Sequence, residues 1–272
     1  YWDTSKVDDM SNLFHTYCST TSAFHEDLSG WNTTSSKSFY RMFYGASAFD
    51  GNVSGWVIRS ASMQEMFQGA SSFTGKGIES WQWSMDSSPT SFYRMFYQAS
   101  SFDGVLNNWV VRSADLTHIF YQATRFTGKG LETWHVSGAV VVYNSAQSGL
   151  FQDLPYFNGD VGPWDVSEIT DMRRMFKDAT SFDRDLSAWN TSSATTMNAM
   201  FFGASSFNQS LSAWDVSRVT DMLFIFYEAS NFAQHLCWDI PPSTGIDYIF
   251  TGTAGACIDK TCGSVSDSSL YC

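Results

Sequence analysis

A phenylalanine returns along the chain at a nearly fixed stride, at Phe14, Phe43, Phe67, Phe96, Phe120, Phe151, Phe176, Phe201, Phe226 and Phe250, and the last five are 25, 25, 25 and 24 residues apart. A tryptophan keeps the same beat at Trp2, Trp31, Trp56, Trp81, Trp109, Trp134, Trp164, Trp189, Trp214 and Trp238. One short unit is therefore written about ten times. Periods of this size belong to solenoids, in which no repeat buries its apolar face without its neighbours.

The clearest unit runs from Phe207 to Ala229, with Leu211, Trp214, Val216 and Val219 at the spacing L-x-x-W-x-V-x-x-V of leucine-rich repeats. Alternation predicts a short strand with Trp214 and Val216 inward and Ala213, Asp215 and Ser217 outward. The period then turns helical, because Met222, Ile225, Phe226 and Ala229 lie at i, i+3, i+4 and i+7. Thr220 is the expected N-cap, with Asp221 favourable beside the helix dipole. The predicted fold class is thus an α/β repeat, a leucine-rich-repeat-like solenoid of about ten turns with parallel strands inside and short helices outside. Strands about 4.8 Å apart against helices needing roughly 8 to 10 Å should bend it into an arc with an inner wall about 45 Å long. Residues 1–236 are expected to form one solenoid domain without an N-terminal cap, and residues 237–272 the last repeat and a disulfide-containing C-terminal cap.

Shifting the sequence by 53 residues overlays Ser38–Gln82 on Ser91–His135, so that SFYRMFYGASAFDG meets SFYRMFYQASSFDG. Two repeats were duplicated together. The longest interval, Phe120 to Phe151, carries the apolar run Ala139 to Tyr143, read as a tucked loop or as an added edge strand or partner contact.

With 43% hydrophobic residues the chain can bury a long core, yet no run approaches the roughly 18 apolar residues of a membrane span. A net charge of −12 argues against nucleic acid and against an anionic membrane surface. Tyr1 and Trp2 already lie inside a repeat, so any signal peptide is expected to be removed or to lie outside this chain. An apolar edge at Trp2 and Leu13 is then expected to need a cover, for which head-to-tail contact with another copy is one solution. Cys237, Cys257, Cys262 and Cys272 crowd the last stretch and read as disulfides sealing the end in an oxidising compartment. The preferred pairing is Cys237 with Cys257 and Cys262 with Cys272, one of three connectivities, leaving Cys18 as a buried thiol. N-glycosylation sequons stand at Asn32, Asn52, Asn190 and Asn208; Asn52 and Asn208 are expected to be reachable, Asn32 and Asn190 crowded on the inner wall.

Five histidines, His15, His25, His118, His135 and His235, are scattered without zinc spacing, and no nucleophile elbow or P-loop pattern occurs. FTGKG at Phe73–Gly77 and Phe126–Gly130 reads as a turn. Acidic and amide residues after the turn phenylalanine form a ladder in which Asp160, Asp183 and Asp185 are weak calcium candidates; the preferred reading is that they make turns. A second ladder follows each tryptophan, at Asp3, Asn32, Val57, Gln82, Val110, His135, Asp165, Asn190, Asp215 and Asp239. It is apolar and basic near Val57, Arg59, Val110 and Arg112, and acidic from Asp165 onward. With Trp2 and Leu13, the residues Val57, Arg59, Val110, Arg112, Asp165, Asp215 and Asp239 are the candidate partner-binding positions.

The phrases WDVSEITDMRRMFKDATSF and WDVSRVTDMLFIFYEASNF resemble the repeat of the BspA-like leucine-rich-repeat surface proteins, and the likeness covers nearly the whole chain. The terminal Leu236, Cys237, Trp238 and Cys257 resemble the closing segment of members from eukaryotic microbes. The resemblance implies an extracellular or cell-surface scaffold acting in adhesion or assembly, with no enzyme activity, no cofactor and no shared site to transfer. Expected partners are other proteins, copies of the chain or glycans; the alternative function is a glycan-binding module using the inner face.

Overall fold

A computed structural model of the chain describes residues 2–15, 24–59, 62–83, 91–107, 109–111, 114–134, 136, 149–259 and 270–271. The chain divides into two compact units, Tyr1–Tyr143 and Asn144–Cys272. The same grammar builds each of them.

Three aromatic columns fill the core. In the second unit, Phe151, Phe176, Phe201, Phe226 and Phe250 stack with centroids 5.6, 5.4, 5.5 and 5.8 Å apart. Phe157, Phe182, Phe207 and Phe232 stack at 5.7, 5.8 and 5.8 Å. Within a repeat the two columns touch, as at Phe201–Phe207 (4.1 Å). Trp189, Trp214 and Trp238 form the third column, at 6.2 and 6.4 Å. The first unit repeats this with Phe43, Phe67, Phe96 and Phe120, with Phe49, Phe73, Phe102 and Phe126, and with Trp56, Trp81, Trp109 and Trp134. Apart from half-buried Phe250, these rings are almost wholly buried. Burying each contributes about 1.5–3 kcal/mol, and favourable ring contacts add to that.

The indoles also bond across repeats. Trp56 Nε1 donates to Leu28 O at 3.0 Å, Trp189 Nε1 to Val161 O at 3.0 Å and Trp214 Nε1 to Leu186 O at 2.9 Å. Trp109 departs from this pattern, its buried Nε1 having no hydrogen-bond partner. Among the ten tryptophans of the beat, the expected burial fails at the edge of the first unit, where Trp2 is 69% exposed and Trp31 half-buried.

Strands are short. β1 (Val57–Ile58) pairs in parallel with β2 (Gln82–Trp83), at the position expected of the inner strand. β3 (His235–Leu236) pairs in parallel with β4 (Cys257–Asp259), which pairs antiparallel with β5 (Leu270–Tyr271). Elsewhere, single parallel bridges link successive repeats, as in Asp171↔Thr196 and Thr196↔Asp221.

The expected outer helix is corrected. Among the described residues there is no α-helix, only 3-10 turns at Ile78–Ser80 and Leu131–Thr133. The segment Met197 to Ala204 instead sends alternate amides to the next repeat: Met197 N to Asp221 O (2.9 Å), Ala199 N to Leu223 O (2.9 Å), Phe201 N to Ile225 O (2.8 Å) and Gly203 N to Tyr227 O (2.7 Å). The amides of Met200, Phe202 and Ala204 close i to i+3 turns onto Met197, Ala199 and Phe201. Ala199 and Gly203 take φ of 52° and 66°, the left-handed third residue of the turns closed by Met200 and Ala204. Consecutive turns repeat every four residues, so they place Met197, Met200, Phe201 and Ala204 on one apolar face just as a helix does. Because the outer segment keeps the backbone hydrogen-bond spacing, the spacing mismatch expected to curve the column has no source within either unit.

A glycine test separates the two geometries by sign. Ala199→Gly relieves a left-handed alanine and should leave stability unchanged or raise it by up to about 1 kcal/mol. In a helix interior the same change costs about 1 kcal/mol. Urea melting of the variant against the parent chain reads the difference.

Candidate functional site

The side chain two positions before a backbone amide decides the character of the surface at each strand end. Asp165 Oδ1 accepts from Ser167 N at 3.1 Å, Asn190 Oδ1 from Ser192 N at 3.2 Å and Asp215 Oδ1 from Ser217 N at 2.9 Å. These are Asx turns, which lock each side chain to its own backbone. All three residues are exposed and come one per repeat in the second unit, with Asp239 exposed at the next position of the ladder. Hydrogen bonds from the Ser167 and Ser217 side chains, then from their amides, hold the carboxyls of Asp165 and Asp215 below the ordinary range. Asp165 and Asp215 therefore stay anionic to unusually low pH.

The first unit carries the corresponding turns at Asp3 and Asn32. Val57 and Val110 are half-buried, and Arg59 is exposed. Arg112 and His135 lie outside the described residues. Trp2 and Leu13, 69% and 43% exposed, stand at one edge of this unit. Beside them opens a pocket of about 590 Å³ lined by Trp2, Phe14, Phe24, Trp31, Glu26 and Asp27, among others.

The edge carboxylates accept hydrogen bonds either from the next repeat, as Asp50, Asp103 and Asp183 do, or from their own turn, as Asp160 and Asp185 do. Asp50 Oδ1 accepts from the Thr74 amide (2.9 Å) and hydroxyl (2.7 Å), and Asp103 Oδ1 does the same for Thr127. Asp183 Oδ1 accepts from Asn208 N (3.0 Å) and Gln209 Nε2 (2.8 Å), Asp160 from Gly162 N and Asp185 from Ser187 N. The calcium candidates are not brought together: among the described residues no group of three or more His, Cys, Asp or Glu side chains is placed to hold a metal ion. FTGKG is a turn at both sites. Gly77 and Gly130 take φ of 95° and 87°, and a Cβ would meet Ser54 N or Asn107 N at 2.4 Å.

Access to the sequons departs from expectation. Asn32, Asn190 and Asn208 are exposed, while Asn52 is half-buried. Asn32 and Asn190 open Asx turns that face outward rather than pack on a crowded wall.

Cys237 and Cys257 are both disulfide-bonded. The parallel register, however, sets His235 opposite Cys257. One strand spacing across and two residues along separate the Cys237 and Cys257 Cα atoms by roughly 8 Å, more than a disulfide usually spans. The geometry counts against pairing these two with each other. Cys18, Cys262 and Cys272 lie outside the described residues, as does the apolar run Ala139 to Tyr143.

Sequence reading missed a carboxyl pair in the second unit. Half-buried Asp153 accepts from Gln152 Nε2 at 3.2 Å and neighbours Asp178, which forms an ion pair with Lys177. Burial, then the like charge of Asp178, pushes the Asp153 carboxyl up, with Lys177 opposing. No motif marks this pair, because its members are one repeat apart. A group raised on folding contributes most below the unfolded pKa and loses that contribution as pH rises through the folded one. Asp153→Asn should therefore gain stability relative to the parent chain between about pH 3 and 7, by less than about 1 kcal/mol at this exposure. Denaturant melts at the two pH values check the sign, and an equal effect at both would contradict it.

Among the described residues no helix is long and apolar enough to cross a membrane. No curated protein and no solved structure matches the chain. A family model described as "Mycoplasma protein of unknown function, DUF285" matches residues 1–81, 59–149 and 145–260, so nearly the whole of the repeat array is accounted for, and the chain belongs to that family.

Proposed function

We propose that the chain is a non-enzymatic scaffold of the cell exterior, acting in adhesion or surface assembly. In this reading it is a leucine-rich-repeat-like solenoid akin to the BspA-like surface proteins of eukaryotic microbes. The observation that carries it is the recurrence of exposed, backbone-locked Asx side chains at Asp165, Asn190 and Asp215, one per repeat. Side chains fixed in this way lose little entropy when a partner docks, and a regular row favours a partner that is itself extended or repetitive. The bonded cysteines at Cys237 and Cys257 favour an oxidising, extracellular setting.

Self-association is the simplest assembly. The exposed Trp2 and Leu13 beside an aromatic-walled pocket form an apolar patch of the kind that protein contacts cover. Sedimentation of the purified chain should show concentration-dependent oligomers, and Trp2→Ser with Leu13→Ser should return a monomer. A parent chain that sediments as a monomer at every concentration would refute assembly through this patch.

One observation favours the second reading, a glycan-binding module. The same pocket sets the rings of Trp2 and Trp31 near the carboxylates of Glu26 and Asp27, a combination suited to sugar C–H faces and hydroxyls. It places the sugar at the edge of the first unit rather than on the expected inner face. Quenching of tryptophan emission by a neutral oligosaccharide, lost in Trp2→Ser, would move the assignment to this reading.

A further inference from the structure

The two-repeat duplication gives the first unit one small arrangement of side chains twice. Tyr40, Arg41 and Tyr44 correspond to Tyr93, Arg94 and Tyr97, 53 residues later. In both copies the arginine holds a left-handed turn position, with φ of 53° and 51°. Its guanidinium lies over both tyrosine rings, 4.9 and 5.1 Å from their centroids in the first copy and 5.0 and 5.2 Å in the second.

The copies differ in what the next repeat supplies. Arg41 Nε donates to Glu65 Oε2 at 2.5 Å, and this carboxylate is largely buried. The residue at the position of Glu65 in the second copy is His118. Arg94 has no ion pair among the described residues, and its Nε, the atom that Arg41 gives to Glu65, is shielded from solvent without a hydrogen-bond partner. Glu65 itself lies one repeat before Arg94 but turns its carboxylate to Arg41. Burial and the charge of Arg94 lower the pKa of His118, against the opposing pull of Asp115, so the imidazole is mainly neutral at neutral pH. A guanidinium cradled by two rings and short of its acceptor favours an added carboxylate, which it can bind through two parallel N–H bonds.

The surroundings narrow the class of ligand. Tyr97 and Tyr121 stack at 5.2 Å, and beside them Gln98 Nε2 donates to Gln122 Oε1 at 2.9 Å on the surface. Aromatic faces suit the C–H faces of a pyranose, and amides suit its hydroxyls. We propose that the Tyr93–Arg94–Tyr97 cradle, with His118 where the first copy has a carboxylate, binds the carboxylate of a glycan containing uronic acid. The site is independent of the Trp2 patch and of the Asx row, so it stands whether or not the chain self-assembles.

Isothermal titration of the full chain with tetragalacturonate tests this, with cellotetraose and tetraglutamate as the neutral and peptide controls. Tetragalacturonate should bind at one site per chain, and the controls should bind at least about tenfold more weakly, the scale of one charge-assisted hydrogen bond. Arg94→Gln should weaken binding by a similar factor, while Arg41→Gln should leave it unchanged. His118→Glu should abolish it by closing the cradle as Glu65 closes the first copy. No binding, equal binding of cellotetraose or tetraglutamate, or indifference to Arg94→Gln and His118→Glu would overturn the proposal.

Discussion

Every second amide in the outer turn segment of a repeat finds its acceptor in the next repeat, and the rest of the architecture depends on that debt. A single repeat would leave Met172, Arg174, Phe176 and Asp178 with amides facing water or nothing. Stacked, they reach Thr196, Asn198, Met200 and Phe202 at 2.7–3.0 Å. Unmade hydrogen bonds in a buried position cost about 1–3 kcal/mol each, so cooperation between neighbours is obligatory. The aromatic columns are its side-chain counterpart. Backbone bonding sets the rise between repeats, and rings stacked 5.4–5.8 Å apart match it.

The arrangement has a conformational cost. Arg41, Glu65, Arg94, His118, Arg174, Ala199 and Phe224 all hold φ between 51° and 59°, where L-residues are disfavoured by about 1–2 kcal/mol. Inter-repeat bonds and ring burial outweigh this because each is repeated along the stack. The consequence for function is regularity. Side chains at equivalent positions come into register, which is how Arg41 meets Glu65 from 24 residues away and how Asp165, Asn190 and Asp215 come one per repeat along the surface.

Much of this was legible before any coordinates. The Phe and Trp stride identified the columns, and the outward position of Asp165 and Asp215 followed from alternation after the tryptophan. The outer segment was not legible, because Met222, Ile225, Phe226 and Ala229 satisfy a four-residue turn period as well as a helical one, and eight residues are too few to separate 4.0 from 3.6. Only the left-handed residues distinguish them, and glycine marks just the second such position of some repeats, at Gly45, Gly69, Gly203 and Gly252, while the first is held by other residue types, as at Arg41, Glu65, His118, Ala199 and Phe224. Pairs such as Arg41 with Glu65 and Asp153 with Asp178 were also hidden, since they depend on the register between repeats. The same register counts against joining Cys237 to Cys257. The contrast between Arg94 and Arg41 became readable only when the internal duplication was laid over the contacts.

The most direct measurement is scalar coupling through hydrogen bonds, recorded by NMR on deuterated chain labelled with 13C and 15N. Coupling from the Phe201 amide nitrogen to the Ile225 carbonyl carbon, and from Ala199 to Leu223, is the predicted result. Coupling from Phe201 back to the carbonyl of Met197, four residues earlier in the same repeat, would mean a helix and would contradict the account.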